Sequence, residues 1–474
     1  MVIAMIVGVG SSFEASPEYQ AGPFQDQVSH RNFEQKWLEA EEFERNTYER
    51  YAKSHKVDYG GNHPFEILER RRLKTNHNGT DGNTHYEVRE RELTPWSPTS
   101  IYKPIRMHFD TVYLDSMPEK YQQKINVIKY EILPKVKEVW GQALQVYQAE
   151  GNIIVKNSGC PHSDASQKTV GVPNTDLVIF VATNFESICV NSKALAAARS
   201  CQADQYDRPT IGSLIICLDR FNGVEQSSKD GLTRTILHEI SHILGMRAAD
   251  YPFFYDPETG LPRTPRPLEK RGVTCVDGNM VRIAPPSTNT LKTGYTNRGK
   301  LFYEVVTPTV RQVARNQFGC QQMGGARLEN QPTNDGNCFG SHWEARLFAS
   351  DVVAAIKIPT MQFMTPLTLA LFEDSGWYRS DFSTAMITPF GHGKGCDFVY
   401  QDCIVDGKIP EWGKGIFCND LSGPYMEQHC DLNHQYITRC DLVDFKDYPG
   451  SDPPDRSHQY FPGNPVSVQI IIIY

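Results

Sequence analysis

The sequence predicts an α+β fold in which a twisted sheet packs against one central helix, and three observations indicate it. Strand-like apolar runs and helical patterns follow one another between residues 103 and 246, Pro and Gly are frequent in residues 247–340, and cysteines crowd the end of 341–474. Segments in this order are expected to pack as a sheet with a helix on its face. We therefore expect an N-terminal sheet subdomain, an inserted central subdomain and a Cys-rich C-terminal subdomain.

Length, composition and charge restrict the class of protein. A chain of 474 residues with 39% hydrophobic residues is long enough for two or three domains with their own cores. Its formal net charge is -8, its pI is about 6.0, and its Lys and Arg residues are scattered rather than clustered. This distribution gives no support to a nucleic-acid-binding protein.

Residues 1–102 are polar, rich in charge and without a clear hydrophobic period. We expect a partly disordered leader or pro-segment here, with plain disorder or a small accessory domain as the alternatives. The first nine residues, MVIAMIVGV, resemble the apolar part of a truncated signal peptide without a basic start. A sequon at Asn78 agrees with secretion, and the sequence contains no run of 18 apolar residues that would indicate a membrane span.

The elements of the sheet subdomain follow from the spacing of its apolar residues. Ile105, Met107 and Phe109 alternate as the residues of a half-buried strand do. Helical spacing then predicts a helix over residues 119–147, with a kink near Pro134. The apolar runs that we expect to complete the sheet are 153–155, 177–181 and 211–218.

The chain beyond residue 246 has a weaker pattern. Within the inserted region, residues 300–306 have the composition of a strand and residues 309–318 have the spacing of an amphipathic helix. An apolar stretch at 367–372 precedes the Cys-rich tail. These segments indicate a folded insertion rather than a linker.

The central helix is predicted by an apolar stripe of period near 3.6 that ends at Gly245, with Asp230 as its expected N-cap. It carries a His-Glu-x-x-His pattern formed by His238, Glu239 and His242. Histidines four residues apart lie on one side of a helix, so both imidazoles can bind one ion at about 2.0–2.1 Å. Glu239 lies beside that ion, where it can take a proton from a bound water whose pKa zinc lowers to roughly 7. The helix therefore predicts the catalytic centre of a zinc peptidase.

A catalytic zinc usually has three protein ligands and one open position, so a third ligand is required. The short spacing of some zinc peptidases would place a histidine three residues after Gly245, but Ala248 stands there. His342 is favoured because it lies between the inserted region and the next apolar segment, although the residues alone leave the choice open. The candidates further along the chain are His342, His392, His429, His434, His458 and the carboxylate of Glu344.

All twelve cysteines lie between Cys160 and Cys440, and they are densest from Cys396 onwards. An even number, concentrated in a region with few apolar residues, favours disulfides and an oxidising compartment over buried free thiols. A second zinc site in the tail has little support, because the sequence contains no Cys-x-x-Cys pair.

The combination of HEISHILG with a distant GSHWEARLF resembles the leishmanolysin family of surface metallopeptidases. Further segments similar to this family are ILPKVKEVWGQALQVY, DLVIFVATNF, RPTIGSLIICLD and VVTPTVRQVARNQFGCQQMGGARLEN. The resemblance covers roughly residues 103–460.

The resemblance implies a fold, a site and an activity. The fold is a metzincin-like zincin catalytic domain with a large insertion before the third histidine. The site consists of His238, His242 and His342 as ligands of one catalytic Zn2+, with Glu239 as the general base. The activity is hydrolysis of peptide bonds in protein or peptide substrates by a secreted or cell-surface enzyme, whose edge strand holds the substrate extended. The implied disulfide is Cys189–Cys201.

Two features depart from the family pattern. Family members carry a Met beneath the zinc, eleven residues after the third histidine, and here that position is Val353. Met361 and Met364 follow, but they would fit only with a change of loop length. We expect Val353 to keep an apolar floor with a poorer shape fit. Related zymogens block the zinc with a pro-segment cysteine, and no cysteine precedes Cys160, so either latency works differently or the N-terminus is incomplete.

These departures support one alternative function, a catalytically weak or inactive cell-surface adhesion or binding protein on the same fold. The intact His-Glu-x-x-His pattern argues against it. Glu239 matters to the chemistry more than to folding, so a chain that had lost catalysis would have little reason to keep it.

Overall fold

The computed structural model describes much of the chain. The described residues are 56–60, 63–65, 101–156, 164–183, 187–191, 194–223, 225–276, 278–329, 338–356 and 362–419, with the backbone of short strands at 428–430, 437–439, 443–444, 459–461 and 464–467. The greater part of the predicted leader, the sequon at Asn78, Met361 and the side chains of His429, His434 and His458 lie outside them.

The protein combines helices and sheets, as the predicted α+β class requires. The strands are β1 (Lys103–Pro104), β2 (Met107–Asp110), β3 (Leu144–Val146), β4 (Leu177–Thr183), β5 (Ala196–Ala203), β6 (Pro209–Ile216), β7 (Arg271–Thr274), β8 (Met280–Ile283), β9 (Leu291–Tyr295), β10 (Leu301–Val305), β11 (Ala326–Arg327), β12 (Arg379–Ser380), β13 (Gln428–Cys430), β14 (Ile437–Arg439), β15 (Val443–Asp444), β16 (Gln459–Phe461) and β17 (Asn464–Ser467). The α-helices are α1 (Val112–Asp115), α2 (Gln122–Val127), α3 (Leu133–Ala143), α4 (Ala165–Thr169), α5 (Ser187–Asn191), α6 (Gln226–Leu244), α7 (Pro308–Phe318), α8 (Ala345–Phe348), α9 (Pro366–Asp374) and α10 (Gly395–Tyr400). Among the described residues, none of the helices combines the length and the apolar composition that a membrane span requires.

A four-stranded sheet forms the framework on which α6 lies. Its strand order is β2-β4-β6-β5, with β2, β4 and β6 parallel and β5 antiparallel at the edge. Every residue of β4 is buried. A strand that is covered on both faces is apolar throughout rather than alternating, which is why residues 177–181 form one apolar run.

The two faces of this sheet enter different cores. Leu177, Ile179 and Val181 of β4 belong to the main core, together with the apolar residues of α6. Val178 and Phe180 belong to a smaller core, because successive side chains of a strand point to opposite sides of the sheet. We call the α6 side the inner face, and the side formed by Val178, Phe180 and Ile211 the outer face.

Gly212 of β6 sets how closely α6 approaches the inner face. A Cβ atom at this position would lie 2.5 Å from Cγ2 of Ile243, a distance at which the helix would have to move. Because Gly212 has no side chain, the buried side of α6 can lie directly against this position of β6.

The predicted helix over 119–147 is shorter and less regular than expected. A π-helical segment, Ile128–Ile132, separates α2 from α3, and Pro134 lies in the first turn of α3, directly after this irregular segment. The helical prediction was wrong at Leu144, which begins β3. Strands on both sides pair with β3, and these tertiary partners decide its conformation.

The other element predictions can be compared directly. The strands expected near 107, 177 and 211 and the strand and helix expected near 300 and 309 are confirmed as β2, β4, β6, β10 and α7. Residues 153–155 form no regular strand, and Ile153 makes only an isolated bridge to Val172.

The limits of α6 differ from the prediction at one end. The helix ends at Gly245, whose φ of 124° favours glycine, and this prediction is confirmed. It begins more than a turn before Asp230, with Glu225 as its N-cap residue, so the prediction for Asp230 was wrong. Asp230 instead lies inside the helix, where its carboxylate accepts a hydrogen bond from Gln226 at 3.0 Å and lies 3.7 Å from Lys135 Nζ.

Three disulfides lie wholly within the described residues, Cys189–Cys217, Cys275–Cys338 and Cys320–Cys396. They support the prediction of a disulfide framework. Cys403 is a buried free thiol.

The implied pairing of Cys189 with Cys201 is wrong. Cys189 bonds to Cys217, which follows the end of β6 beside the start of β5, since Ala196 pairs with Ile216. Cys201 lies five residues further along β5, about 17 Å from its start at 3.4 Å per residue. Cys201 is itself disulfide-bonded.

Candidate metal centre

Helix α6 presents His238 and His242 on its buried side. Both residues are fully buried, and their Nε2 atoms lie 3.1 Å apart. This proximity follows from their four-residue spacing on one side of the helix.

His342 reaches the same point from beyond the inserted region. Its carbonyl accepts a hydrogen bond from the Glu329 N–H at 2.9 Å, and the next residue, Trp343, donates its N–H to the Val353 carbonyl at 3.0 Å. Nε2 of His342 lies 3.1 Å from Nε2 of His238, although 104 positions separate the two residues. The ligand atoms of all three histidines lie within 4.8 Å of one another.

The remaining ring nitrogens of the helix histidines fix their tautomers. His238 Nδ1 lies 2.7 Å from the Val352 carbonyl, and His242 Nδ1 lies 2.7 Å from the Met246 carbonyl. A carbonyl oxygen only accepts, so in the neutral ring each Nδ1 carries the hydrogen and each Nε2 presents a lone pair to the other histidines.

Glu329 has the same effect on His342. Its Oε1 lies 2.6 Å from Nδ1 of His342, and the ionised carboxylate accepts the Nδ1 hydrogen. Glu329 also accepts a hydrogen bond from the Ser341 N–H at 3.2 Å, so its carboxylate is held by the same loop that it orients.

The donor set fits a single Zn2+. Three lone pairs at this separation repel one another unless a cation lies between them. Tetrahedral nitrogens at 2.0–2.1 Å from zinc stand about 3.3 Å apart, close to the 3.1 Å between neighbouring Nε2 atoms here. Burial, together with the neighbouring His238 and His342, lowers the pKa of His242, which keeps this ring neutral and able to bind a metal.

Glu239 directly follows the first histidine of the cluster and is fully buried. Its place on α6, directly after a histidine of the cluster, makes it the candidate general base of the site.

A turn at residues 351–353 contacts the histidine cluster through His238. Its Val352 carbonyl is the partner of His238, and Val353 is fully buried in the main core. Asp351 stabilises the turn by accepting hydrogen bonds from the Val353 N–H and the Thr368 hydroxyl, each at 2.7 Å. Burial raises the pKa of Asp351 to about 6, and the hydrogen bonds to its carboxylate act in the opposite direction.

The model of the leishmanolysin family matches residues 120–256 and 289–467, well over half of the chain. The chain belongs to the leishmanolysin family. The first matched stretch contains α6, the second contains His342, and the unmatched gap falls within the inserted region. The resemblance that the sequence motifs indicated is therefore confirmed.

Individual relatives agree with this membership. A leishmanolysin-like peptidase of Drosophila pseudoobscura pseudoobscura is 27% identical over 429 residues, which cover 77% of this chain and 60% of the relative. A leishmanolysin-like peptidase of Caenorhabditis elegans is 31% identical over 295 residues, covering 58% and 43%. The leishmanolysin of Leishmania major is 27% identical over 305 residues, covering 63% and 43%. The chain spans less than two-thirds of the length of each of these relatives.

The other candidate ligands whose side chains are described lie elsewhere in this leishmanolysin-family chain. Glu344 begins α8, where its carboxylate accepts a hydrogen bond from the Arg346 N–H at 3.3 Å. His392 is exposed in a turn. Among the described residues, His238, His242 and His342 form the one group with the spacing of metal ligands.

Sequence reasoning missed Glu329 as a residue of the site. It lies thirteen positions before His342 in ARLEN, a segment similar to the leishmanolysin family, but an isolated Glu before a loop carries no local signal. Its role depends on the pairing of the main chain at 329 with that at 342, which only the fold shows.

Proposed function

We propose that this chain is a zinc-dependent metalloendopeptidase in which His238, His242 and His342 hold one catalytic Zn2+. The observation that carries the proposal is the convergence of the ligand nitrogens of three buried histidines within 4.8 Å of one another, two of them on a helix whose next residue after His238 is the buried Glu239. Membership of the leishmanolysin family and the names of the peptidase relatives support the same reaction class.

The reaction is hydrolysis of a peptide bond. Bound zinc supplies Lewis acidity toward the attacking water and the scissile carbonyl. Glu239 takes the proton that the water releases as its oxygen attacks the carbonyl carbon, and later delivers that proton to the leaving nitrogen as the C–N bond breaks. The carbonyls of Val352 and Met246 keep the helix histidines in the tautomer that leaves Nε2 free for the metal.

The fold that we propose around this site is a metzincin-like zincin. The sheet with α6 forms the N-terminal catalytic subdomain of residues 103–246, residues 247–340 form an inserted subdomain, and residues 341–474 form the C-terminal subdomain that supplies His342. An extended substrate would lie along β5, because β5 is the edge strand that packs against α6, whereas β2 forms the opposite edge.

The substrates that we propose are proteins or peptides, and the location is secreted or on the cell surface. The three disulfides support an oxidising compartment.

The test compares Glu239→Gln with the wild type in cleavage of an unstructured protein, with zinc measured in both. Gln keeps the shape but cannot accept the proton, so activity should fall by at least about 10²-fold while zinc content stays unchanged. His392→Ala, which removes an exposed histidine, is the matched control and should keep full activity. Undiminished turnover by Glu239→Gln would exclude this assignment.

A surface adhesion or binding protein on the same fold remains the second candidate, and Val353 in place of the family Met is the residue that favours it. The same assay separates the two functions. A wild-type protein that binds one zinc per chain but cleaves nothing, after removal of any leader, would favour adhesion.

A further inference from the structure

We propose that residues 56–60 and 63–65, which we call the anchor segment, stay bound to the outer face of the sheet as a structural part of the working enzyme. The sequence places these residues in a leader, and a removable inhibitor would be the ordinary role of such a segment. The contacts of the anchor segment indicate a different role, because they complete a core that lies away from the metal centre.

The apolar side chains of the anchor segment are buried against the sheet. Val57 is 6% exposed and Tyr59 is 3% exposed, whereas the alternate residues Lys56 and Asp58 are exposed. Val57 and Tyr59 belong to the smaller core with the outer-face residues Val178, Phe180 and Ile211. Detachment would expose a contiguous apolar surface of the catalytic sheet.

Main-chain groups of the anchor segment are paired with two loops. The Asp58 carbonyl accepts hydrogen bonds from the N–H groups of Glu150 at 3.0 Å and Gly151 at 3.4 Å. The side-chain amide of Gln205 accepts from the Val57 N–H at 2.7 Å and donates to the Val57 carbonyl at 2.9 Å. The Gln205 side chain therefore satisfies both main-chain groups of Val57, as a neighbouring β-strand would.

The hydroxyl of Tyr59 completes a buried ion pair. It donates a hydrogen bond to Asp204 Oδ2 at 2.5 Å and accepts one from Arg208 Nη2 at 2.9 Å. The side chains of Asp204 and Arg208 are 0% and 4% exposed. Loss of the hydroxyl leaves these buried charged groups without one of their partners, which is a large penalty for a folded protein.

Two aromatic stacks extend the contact beyond the sheet. His63 stacks on Tyr206 with ring centroids 3.8 Å apart, and Phe65 stacks on Tyr255 at 4.7 Å. Tyr206 lies in the loop between β5 and β6, and Tyr255 follows the end of α6. The anchor segment therefore joins three separate parts of the chain.

The contacts of Val57 and Tyr59 lie on the side of the sheet away from the helix that carries the histidines, which argues against direct inhibition by these two residues. Ile211 faces the anchor segment, whereas the adjacent Gly212 faces α6, which carries the histidines. The sheet lies between Val57 and Tyr59 on one side and that helix on the other. Removal of the anchor segment is therefore expected to lower stability rather than to open the metal centre.

To test this proposal, the chain is cleaved between the anchor segment and the part that begins at residue 103, which we call the body. A recognition site for a specific protease is introduced into TNHNGTDGN at residues 75–83, and the cut protein is separated by size exclusion under native conditions. We expect the N-terminal fragment to co-elute with the body, as identified by mass spectrometry. Release of the fragment from the wild-type body, with unchanged Tm of that body, would overturn the proposal, as would a rise in peptidase activity on release.

Variants of the uncut protein give a second measurement. Tyr59→Phe removes one hydroxyl and should lower the Tm by about 1–3 °C, while peptidase activity at low temperature stays within twofold. Lys56→Ala, an exposed neighbour, should leave the Tm unchanged. Equal Tm values for the two variants would contradict the structural role. Co-elution and Tm do not depend on catalysis, so this proposal and the peptidase assignment can fail separately.

Discussion

The hydrogen bond between His342 and Glu329 gives the third histidine a different kind of support from the other two. His238 and His242 are held by main-chain carbonyls, whereas His342 donates to a carboxylate at 2.6 Å. A carboxylate partner orients the ring and raises the electron density at the opposite nitrogen, which strengthens metal binding. His342 also sits on a loop rather than on a helix, so it depends more on this orientation.

Glu329→Ala should therefore weaken zinc binding by about 10–100-fold. The affinity is measured by competition with a chelator of known affinity, which needs no peptidase assay. Glu329→Gln keeps a hydrogen-bond acceptor and should lose less than the Ala variant. An Ala variant with wild-type zinc affinity would show that the carboxylate does not position His342.

The residues of the centre differ in how far the sequence reveals them. The sequence indicates His238 and His242 because residues four positions apart lie close together on a helix, and it indicates Glu239 as part of the same motif. His342 could not be selected from the chain alone, since its approach depends on main-chain pairing with residues 329 and 353. Partners such as the Val352 carbonyl carry no side-chain signal, so no residue pattern could have indicated them.

At the scale of elements, the sequence predicted those segments whose conformation depends on neighbouring residues in the chain rather than on distant partners. Gly245 ends α6 because only glycine readily adopts its positive φ, and β4 forms an apolar run because both of its faces are covered. Leu144 has helical spacing but lies in a strand, where its carbonyl accepts a hydrogen bond from the Ile105 N–H and its register partner is Ser380. Such partners override local preference, and the sequence does not show them.

The disulfide between Cys189 and Cys217 ties α5 to the end of β6 beside the edge strand. The disulfide closes a loop with a sequence separation of 28 residues, and the loop-entropy relation gives about 3–4 kcal/mol of stability for a loop of this length. The double variant Cys189→Ser/Cys217→Ser should lose about this much free energy of unfolding, measured by urea denaturation. Cys403→Ser changes a buried cysteine without breaking a disulfide and should cost less than half as much. A double variant with the wild-type free energy of unfolding would contradict this prediction, because it would show that the disulfide does not stabilise the part of the protein that unfolds cooperatively.

At the scale of the whole molecule, the metal centre joins two distant parts of the chain. His238 and His242 come from α6 before the inserted region, and His342 comes from the loop after it. Within the chain, the same two parts are also linked by the hydrogen bond from the Ala248 N–H to the Ser341 hydroxyl at 3.1 Å. A zinc ion held by all three histidines would act as a further cross-link between these parts, so it should contribute to folding as well as to catalysis.

Removal of zinc should therefore lower the Tm of the protein. A ligand that binds only the folded state adds about 4 kcal/mol when its free concentration is 1,000 times its Kd. Thermal unfolding with and without a chelator measures this effect, and a chelator saturated with zinc serves as the control. Glu239→Gln should keep the full zinc-dependent rise in Tm because Glu239 is not a ligand, whereas His342→Ala should lose most of it. If His342→Ala retained the wild-type rise, the third ligand would have to be another residue, and the cross-link between the two parts of the chain would not exist.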